Sequence, residues 1–190
     1  IDIESLNVTA DLLNSDLTLN FIKKLKPKLI LSYGCHKISN SILKQFNCGF
    51  WNTHGGLSPR YRGAITHFWP SYFLEPQMTG MTLHEMTNQI DGGDIIFQSV
   101  PKMVKGDGLH RLAARSVTTF IDQLCNKISS VDLNTLPKGV RQNTSGKIFT
   151  SSDWRPEHLE VIYEKYEDKI VDMLLSGAIS NEIPELVSVL

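Results

Sequence analysis

The chain has 190 residues, of which 41% are hydrophobic and 21% are charged, and its formal net charge is −1. This composition is typical of a globular protein with one substantial core. It lacks the basic character of nucleic-acid-binding proteins, and it contains no apolar run of about 18 residues, the length that would indicate a membrane span. We therefore expect neither nucleic acid nor a membrane as a partner.

The cysteine content indicates a reducing environment. The sequence has three cysteines, an odd number, at spacings that match no zinc or redox motif: Cys35, Cys48 and Cys125. We interpret them as small hydrophobic residues of a protein from a reducing compartment. A cytoplasmic location follows as the default. The oligomeric state stays open, with a homodimer as one option.

The first third of the sequence alternates helix and strand patterns. Apolar residues recur at helical spacing over residues 11–26, and Pro27 ends the pattern. Residues 28–33 form a short apolar run typical of a buried strand, residues 39–46 resemble a short helix, and residues 50–54 resemble a second strand. This order predicts a parallel βαβ unit and hence an α/β fold.

The middle of the sequence predicts one helix and two strands. Residues 63–74 predict a helix rich in aromatic side chains, which Pro70 kinks or breaks. Residues 79–85 and 95–100 predict strands that continue the sheet. The turn at residues 90–94 joins these strands, and its glycines permit unusual backbone angles.

The last part of the sequence predicts two further helices. The first covers residues 107–127, with Asp107 as its N-cap, and its apolar stripe packs on one face of the sheet. The second begins after Asp153 and ends at Gly177. Turn-forming residues dominate the stretch between them, at 129–153. We therefore expect a catalytic unit over residues 1–128 and a short, helical C-terminal extension over residues 129–190.

Two polar side chains lie at the end of the second predicted strand. Asn52 and His54 are two residues apart, so they point to the same side of the sheet. Ligands bind at this edge of open α/β sheets. An amide and an imidazole there can hold one carbonyl oxygen as it becomes negative. The alternative is structural, with Asn52 as a turn residue and His54 as a core histidine.

The other polar residues of this region also have both a structural and a functional interpretation. Asp91 is either a turn aspartate or a carboxylate beside His54 that raises its pKa and relays a proton, and Asp94 competes for that role. Arg60, Tyr61 and Arg62 either form a solvated loop or position a substrate. Four other histidines have no metal-ligand spacing, so we expect core or surface roles and no metal site: His36, His67, His84 and His110.

Residues 52–63 resemble the signature of the folate-dependent formyltransferases, which include the glycinamide ribonucleotide, methionyl-tRNA and sugar N-formyltransferases. That signature is Asn-x-His, a leucine, and then Pro-x-Tyr-Arg-Gly. The matching positions are Asn52, His54, Leu57, Pro59, Tyr61, Arg62 and Gly63. Residues 79–84 and 90–96 resemble the second conserved block of the family. The resemblance extends from about residue 26 to about residue 124.

The resemblance implies a Rossmann-like fold with a mostly parallel sheet, and a site for 10-formyltetrahydrofolate, without a metal. It implies that Asn52, His54 and Asp91 form the catalytic trio. The pterin is expected near two loops, at Tyr33, Gly34, Cys35, His36 and Ile38, and at Thr87, Gln89, Ile90 and Asp91. The acceptor is expected near Gly55, Gly56, Arg60, Tyr61 and Arg62.

Several departures from the family pattern concern the acceptor. Gly55 and Gly56 stand where the family often has Pro-Ser, and Ser58 replaces a usual leucine. The first strand–helix units of the family domain have no counterpart here, and the sequence begins with isoleucine, so we expect a longer chain whose missing units cover an open sheet edge. The segment after residue 124 does not resemble the second domain of the tRNA enzyme, which argues against tRNA as acceptor.

The sequence thus predicts an N-formyltransferase that acts on a small-molecule amine, with an amino-sugar nucleotide as our first choice. Glycinamide ribonucleotide and a hydroxylamine of siderophore synthesis are alternative acceptors. Two other functions stay open at this point. A formyltetrahydrofolate hydrolase would use water in place of the amine, and a non-catalytic folate- or nucleotide-binding module would have no need of all three residues of the trio.

Overall fold

The computed structural model describes residues 3–143, 146–180 and 182–190. Its strands are Leu29–Tyr33 (β1), Gly49–His54 (β2), Tyr61–Gly63 (β3), Met81–Glu85 (β4), Ile95–Ser99 (β5) and Lys147–Phe149 (β6). Its α-helices are Asp16–Leu25 (α1), Asn40–Leu43 (α2), Trp69–Tyr72 (α3), Leu109–Ile128 (α4), Glu157–Glu160 (α5) and Ile170–Leu175 (α6).

Four strands form one sheet in the order β1-β2-β4-β5. β1 and β2 are parallel neighbours and β5 continues the sheet beyond β4, as predicted. The pairings of β2 with β4 and of β4 with β5 are antiparallel, so the mostly parallel sheet that we expected is corrected to a mixed sheet in the described residues. Residues 86–94, which connect β4 to β5, are too few for the crossover that parallel strands require.

The central strands and α4 share a hydrophobic core. Met81 and Leu83 of β4 and Ile96 of β5 are fully buried in it. Phe120 of α4 is also fully buried, and its ring stacks on Phe97 of β5 at a centroid distance of 5.5 Å. The apolar stripe of α4 thus covers one face of the sheet, which confirms the predicted packing of this helix.

A second core lies beside the first, around α3. Trp69 of α3 stacks on Phe149 of β6 at 4.8 Å, and Ile162 and Ile170 complete this cluster. β6 pairs in parallel with β3. Residues after 128 therefore finish a core that earlier residues begin. The division into a unit before residue 129 and an extension after it stays a prediction.

The end of the chain covers the outer edge of β5. The backbone N–H of Gln98 donates to the carbonyl of Val187 at 2.8 Å, and the N–H of Val189 donates to the carbonyl of Ile96 at 2.9 Å. An edge strand exposes unpaired backbone groups that invite association. Residues 187–189 satisfy some of these groups, although the sequence pattern gave no strand there.

The aromatic segment at 63–74 is not one helix, contrary to the prediction. Gly63 and Ile65 have φ angles of 95° and 58°, outside the helical region, so a helix cannot pass through them. The segment instead continues from β3 through turns into α3, which starts at Trp69. Pro70 lies in the first turn of this short helix, where a proline ring is tolerated, and does not kink it.

The two C-terminal helix predictions also need correction. Asp107 does not cap α4, since its carboxylate forms two hydrogen bonds with Arg115 at 2.6 and 3.0 Å. The cap role falls to the Asp168 carboxylate, which accepts a hydrogen bond from the N–H of Leu109 at 2.7 Å. The predicted second helix is broken between residues 165 and 170, where Glu167 and Asp168 have positive φ angles.

The surface shows two further features. None of the helices within the described ranges is both long and apolar enough to cross a membrane. Cys35 and Cys125 are exposed, and Cys48 is partly buried. The interpretation of the cysteines as packed hydrophobic residues is therefore wrong for two of the three.

The Phe97–Phe120 contact provides a test of the first core. We expect Phe120→Ala to lower the free energy of unfolding by about 3–5 kcal/mol, because it leaves a cavity between α4 and the sheet. Gln123→Ala, at an exposed position of the same helix, is the control and should change stability by less than about 0.5 kcal/mol. Urea denaturation measures both. Equal effects would show that α4 does not pack as described.

Candidate active site

A cavity of about 640 Å³ opens where β1 and β2 end. One wall consists of the ends of these strands, at Tyr33–Cys35 and Asn52–Gly55. Much of the remaining lining is apolar or aromatic, and three separate segments contribute to it: Ile65, Thr66, His67 and Phe68; Leu109, His110 and Ala113; Trp154 and Leu159. The cavity thus lies at the sheet edge where open α/β folds bind ligands.

The structure brings Asn52, His54 and Asp91 together on this cavity. Asp91 lies on the turn before β5, but its Oδ2 atom is 3.3 Å from Nδ1 of His54. The other carboxylate oxygen, Oδ1, is 3.4 Å from Nε2 of His84 on β4. The same His84 nitrogen is 3.2 Å from Nδ2 of Asn52. Two histidines therefore flank one carboxylate, and one of them also contacts the amide.

The His54 ring is held from the side away from Asp91. Its Nε2 atom is 2.7 Å from the backbone carbonyl of Tyr61, and a carbonyl can only accept, so Nε2 carries the proton. Gly56 allows this contact. A Cβ atom at position 56 would lie 2.6 Å from the Tyr61 oxygen and 2.7 Å from His54 Nε2. Gly56 therefore supports the ring, and Nδ1 is the nitrogen that faces Asp91.

Asp91 itself lies in a strained turn, with a φ angle of 45°. The N–H of Gly63 donates to Asp91 Oδ2 at 2.8 Å, and Arg62 Nε donates to the neighbouring Ile90 carbonyl at 2.9 Å. The Gln142 amide donates to the backbone carbonyl of Asp91 at 2.8 Å. A left-handed conformation at a non-glycine residue needs such support from its surroundings. The signature motif and the segment around residue 142 thus fix the carboxylate in place.

Burial and neighbouring polar groups shift the pKa of His54, and likewise that of Asp91, in opposite directions. Burial lowers the pKa of His54, and the Asp91 carboxylate and the Tyr61 carbonyl offset only part of this effect. We expected Asp91 to raise the pKa of His54; that contribution exists, but the net direction is downward. For Asp91, burial raises the pKa, but the neighbouring His84 and His54 rings and the Gly63 N–H together outweigh it and lower the pKa.

The expected folate contacts divide into two groups. Tyr33, Gly34 and Cys35 line the cavity beside Asn52. The others do not line it, apart from Asp91: His36, Ile38, Thr87, Gln89 and Ile90. Thr87, Gln89 and Ile90 are exposed on the loop that leads to the Asp91 turn. Their contact with the pterin stays a prediction.

The expected acceptor contacts lie mostly outside the cavity. Gly55 lines it, next to the ring of His67. Arg60 pairs with Glu75, and the Tyr61 hydroxyl donates to the same carboxylate at 2.7 Å. Arg62 is buried against the Asp91 turn. Gly56, Arg60, Tyr61 and Arg62 therefore do not line the cavity; Gly56, Tyr61 and Arg62 are buried, and Arg60 is exposed and paired with Glu75.

The sequence interpretation missed His84, which contacts Asn52 and Asp91 behind the cavity, and several residues that line the cavity itself. His84 lies directly opposite Asn52 in the antiparallel pairing of β2 with β4, so the correct pairing would have revealed it. His67 lines the cavity, and burial lowers its pKa to about 4, so that its ring is neutral. His110, Trp154 and Leu159 come from α4 and the C-terminal segment, and no motif marks them. Within the described part of the chain, no group of three or more metal-ligating residues is placed to hold an ion.

Comparison with known proteins gives a family match over most of the chain. The family model described as formyl transferase matches residues 4–123. The bifunctional polymyxin resistance protein ArnA from Wigglesworthia glossinidia brevipalpis is 41% identical over 90 residues, which are 47% of this chain and 14% of that protein. Methionyl-tRNA formyltransferase from Prochlorococcus marinus (strain MIT 9312) is 28% identical over 141 residues, 70% of this chain and 42% of that protein. The chain spans less than half the length of both relatives.

Solved structures share the fold. The formyltransferase PseJ from Anoxybacillus kamchatkensis, in complex with UDP-4,6-dideoxy-4-formamido-L-AltNAc and tetrahydrofolate, matches with a TM-score of 0.63 and 21% identity, over 88% of this chain and 81% of that one. A sugar N-formyltransferase from Shewanella sp FDAARGOS_354 matches with a TM-score of 0.61 and 22% identity, over 93% and 74% of the two chains. The α/β fold is thus the Rossmann-like fold of these formyltransferases.

The opposed effects on His54 lead to a prediction for its titration. We expect Asp91→Asn to lower the pKa of His54 below the wild-type value, since the mutation removes the charge that offsets burial. Asp94→Asn, in the same turn but off the cavity, should leave that pKa unchanged. An NMR titration of the ring protons measures all three proteins. An upward shift in Asp91→Asn, or an equal shift in Asp94→Asn, would contradict the described geometry.

Proposed function

The chain belongs to the formyl transferase family, and from this membership we propose that it is an N-formyltransferase that moves the formyl group of 10-formyltetrahydrofolate onto an amine. One observation carries the proposal. Asn52 and His54 of β2 and Asp91, which lies 37 residues further along the sequence, line a single cavity, and His54 Nδ1 is 3.3 Å from Asp91 Oδ2. Residues that serve only the fold have no reason to converge in this way.

In the proposed reaction, the acceptor nitrogen attacks the formyl carbon of the donor. The new C–N bond forms, and the carbonyl electrons move to the formyl oxygen. The Nδ2–H of Asn52 stabilises this oxyanion, as hydrogen-bond donors do in other acyl transfers. The carbonyl then re-forms, the bond from the formyl carbon to N10 of the folate breaks, and N10 takes up one proton in place of the one that the amine loses. The products are a formamide and tetrahydrofolate.

His54 can accept the proton that the attacking amine loses. Because Nε2 of His54 is already protonated against the Tyr61 carbonyl, Nδ1 is the nitrogen that can gain a proton. Asp91 is 3.3 Å from it and stabilises the charged ring that results. The lowered pKa of His54 favours a neutral ring before attack. This differs from our expectation that Asp91 raises the pKa of His54, and it makes His54 and Asp91 a proton acceptor pair.

For the acceptor, we propose an amino-sugar nucleotide. Beyond the strand ends, the cavity is lined largely by apolar and aromatic side chains, among them Phe68, Trp154 and Leu159. Such a surface suits the ring of a sugar better than a phosphate group. PseJ, whose fold this chain shares, holds a UDP-linked formamido sugar together with tetrahydrofolate. The formal net charge of −1 does not favour tRNA.

A transfer assay with 10-formyltetrahydrofolate and a panel of amines, including amino-sugar nucleotides, tests this function. We expect Asn52→Ala to reduce kcat by about 10²–10³-fold, because it removes an oxyanion donor. His54→Ala and Asp91→Asn should also reduce transfer by orders of magnitude, while folate affinity largely survives.

Asp94→Asn is the matched control for the assay and should keep full activity. Formate release by the wild type without transfer to any amine would favour a hydrolase. Folate binding with neither reaction would favour a binding module. Full transfer activity in Asp91→Asn would remove this residue from the mechanism.

A further inference from the structure

The Asn52 side chain is held from both neighbouring strands. Ser32 of β1 lies directly beside Asn52 in the parallel pairing, and its hydroxyl donates to Asn52 Oδ1 at 2.6 Å. His84 of β4 lies directly opposite Asn52 in the antiparallel pairing, and its Nε2 atom is 3.2 Å from Asn52 Nδ2. Each end of the amide therefore has its own partner, one on each side of β2.

The backbone decides which nitrogen of His84 carries the proton. Nδ1 of His84 is 2.8 Å from the carbonyl oxygen of Glu85, and a carbonyl oxygen can only accept, so Nδ1 is protonated. In the neutral ring, Nε2 then has a lone pair and accepts a hydrogen bond from Asn52 Nδ2. The ring is only 3% exposed, which keeps water from competing for this contact.

The two contacts together select one orientation of the amide. If the amide turned over, its NH₂ group would face the Ser32 hydroxyl and its oxygen would face the lone pair of His84. The observed orientation leaves the second hydrogen of Nδ2 free for the cavity, which Asn52 lines. We infer that Ser32 and neutral His84 are positioning residues, which aim an N–H of Asn52 at the formyl oxygen. This role rests on the proposed formyl transfer.

Protonation of His84 would reverse its effect. Nε2 would then carry a hydrogen, lose its ability to accept from Asn52, and donate to Asp91 Oδ1, which is 3.4 Å away. The charged groups around the ring are the Asp91 carboxylate, His54, whose ring centroid is 6.5 Å away, and Arg62, which binds the carbonyl next to Asp91. A charged His84 would also compete with His54 for Asp91 and release the amide.

The first experiment does not depend on catalysis. Long-range ¹H–¹⁵N NMR spectra of the full chain at neutral pH report the tautomer of His84, and we expect a neutral ring protonated at Nδ1. The side-chain amide signals of Asn52 should shift in Ser32→Ala and in His84→Leu. Ser99→Ala, which removes another buried hydroxyl of the sheet that has no partner among the described residues, should leave them in place. A ring protonated at Nε2, or Asn52 signals unaffected by both mutations, would overturn the inference.

The second experiment separates positioning from a general structural role. We expect Ser32→Ala and His84→Leu to lower kcat by about 10–100-fold with little change in KM, since misplaced catalytic groups cost rates of this order. His84→Gln, whose carbonyl can accept from Asn52, should recover part of the loss, and Ser99→Ala should have wild-type kcat. In an Asn52→Ala background, Ser32→Ala should cost nothing further, because Ser32 contacts Asn52 and not Asp91.

An additive loss from Ser32→Ala in that background would show that Ser32 acts on something other than Asn52, and would contradict the inference. Thermal denaturation confirms that each variant folds. A wild type that transfers formyl to no amine would refute the proposed function. The NMR result would still decide whether Ser32 and His84 orient the amide.

Discussion

The site depends on the position of β2 between a parallel and an antiparallel neighbour. Register with β1 places Ser32 beside Asn52, and register with β4 places His84 on its other side. A shift of one residue in either pairing would turn these side chains to the opposite face of the sheet. The hydrophobic cores that fix the register, around Leu83 and Ile96 on one face, therefore also fix the chemistry at the strand ends.

The second requirement is a carboxylate brought from a distant turn. Asp91 has a strained backbone conformation, and contacts from Gly63, Arg62 and Gln142 keep it there. The Tyr-Arg-Gly part of the signature motif thus supports His54 and the Asp91 turn through hydrogen bonds. Burial and the carboxylate act in opposite directions on the pKa of His54. Because these two effects offset each other in part, the His54 ring can gain and lose a proton during one reaction cycle.

The sequence predicted the elements whose signals are local. Apolar runs identified β1 and β2, helical periodicity identified α4, and the family motif singled out Asn52, His54 and Asp91 as candidates. Prediction from the sequence failed where contacts between distant residues determine the local structure. Asp107 pairs with Arg115 and leaves the cap of α4 to Asp168, while positive φ angles at Gly63 and Ile65 interrupt an aromatic helix pattern. The contributions of His84 and Trp154 depend on strand pairing and on the return of the C-terminal segment, which periodicity does not encode.

A crystal structure with a non-transferable analogue of 10-formyltetrahydrofolate tests the central claim most directly. We expect the formyl oxygen within hydrogen-bond distance of Asn52 Nδ2, the formyl carbon facing His54, and the pterin beside Tyr33 and Cys35. An analogue bound outside this cavity, for example in the groove between Arg60 and Lys147, with Asn52 and His54 free of it, would contradict the account.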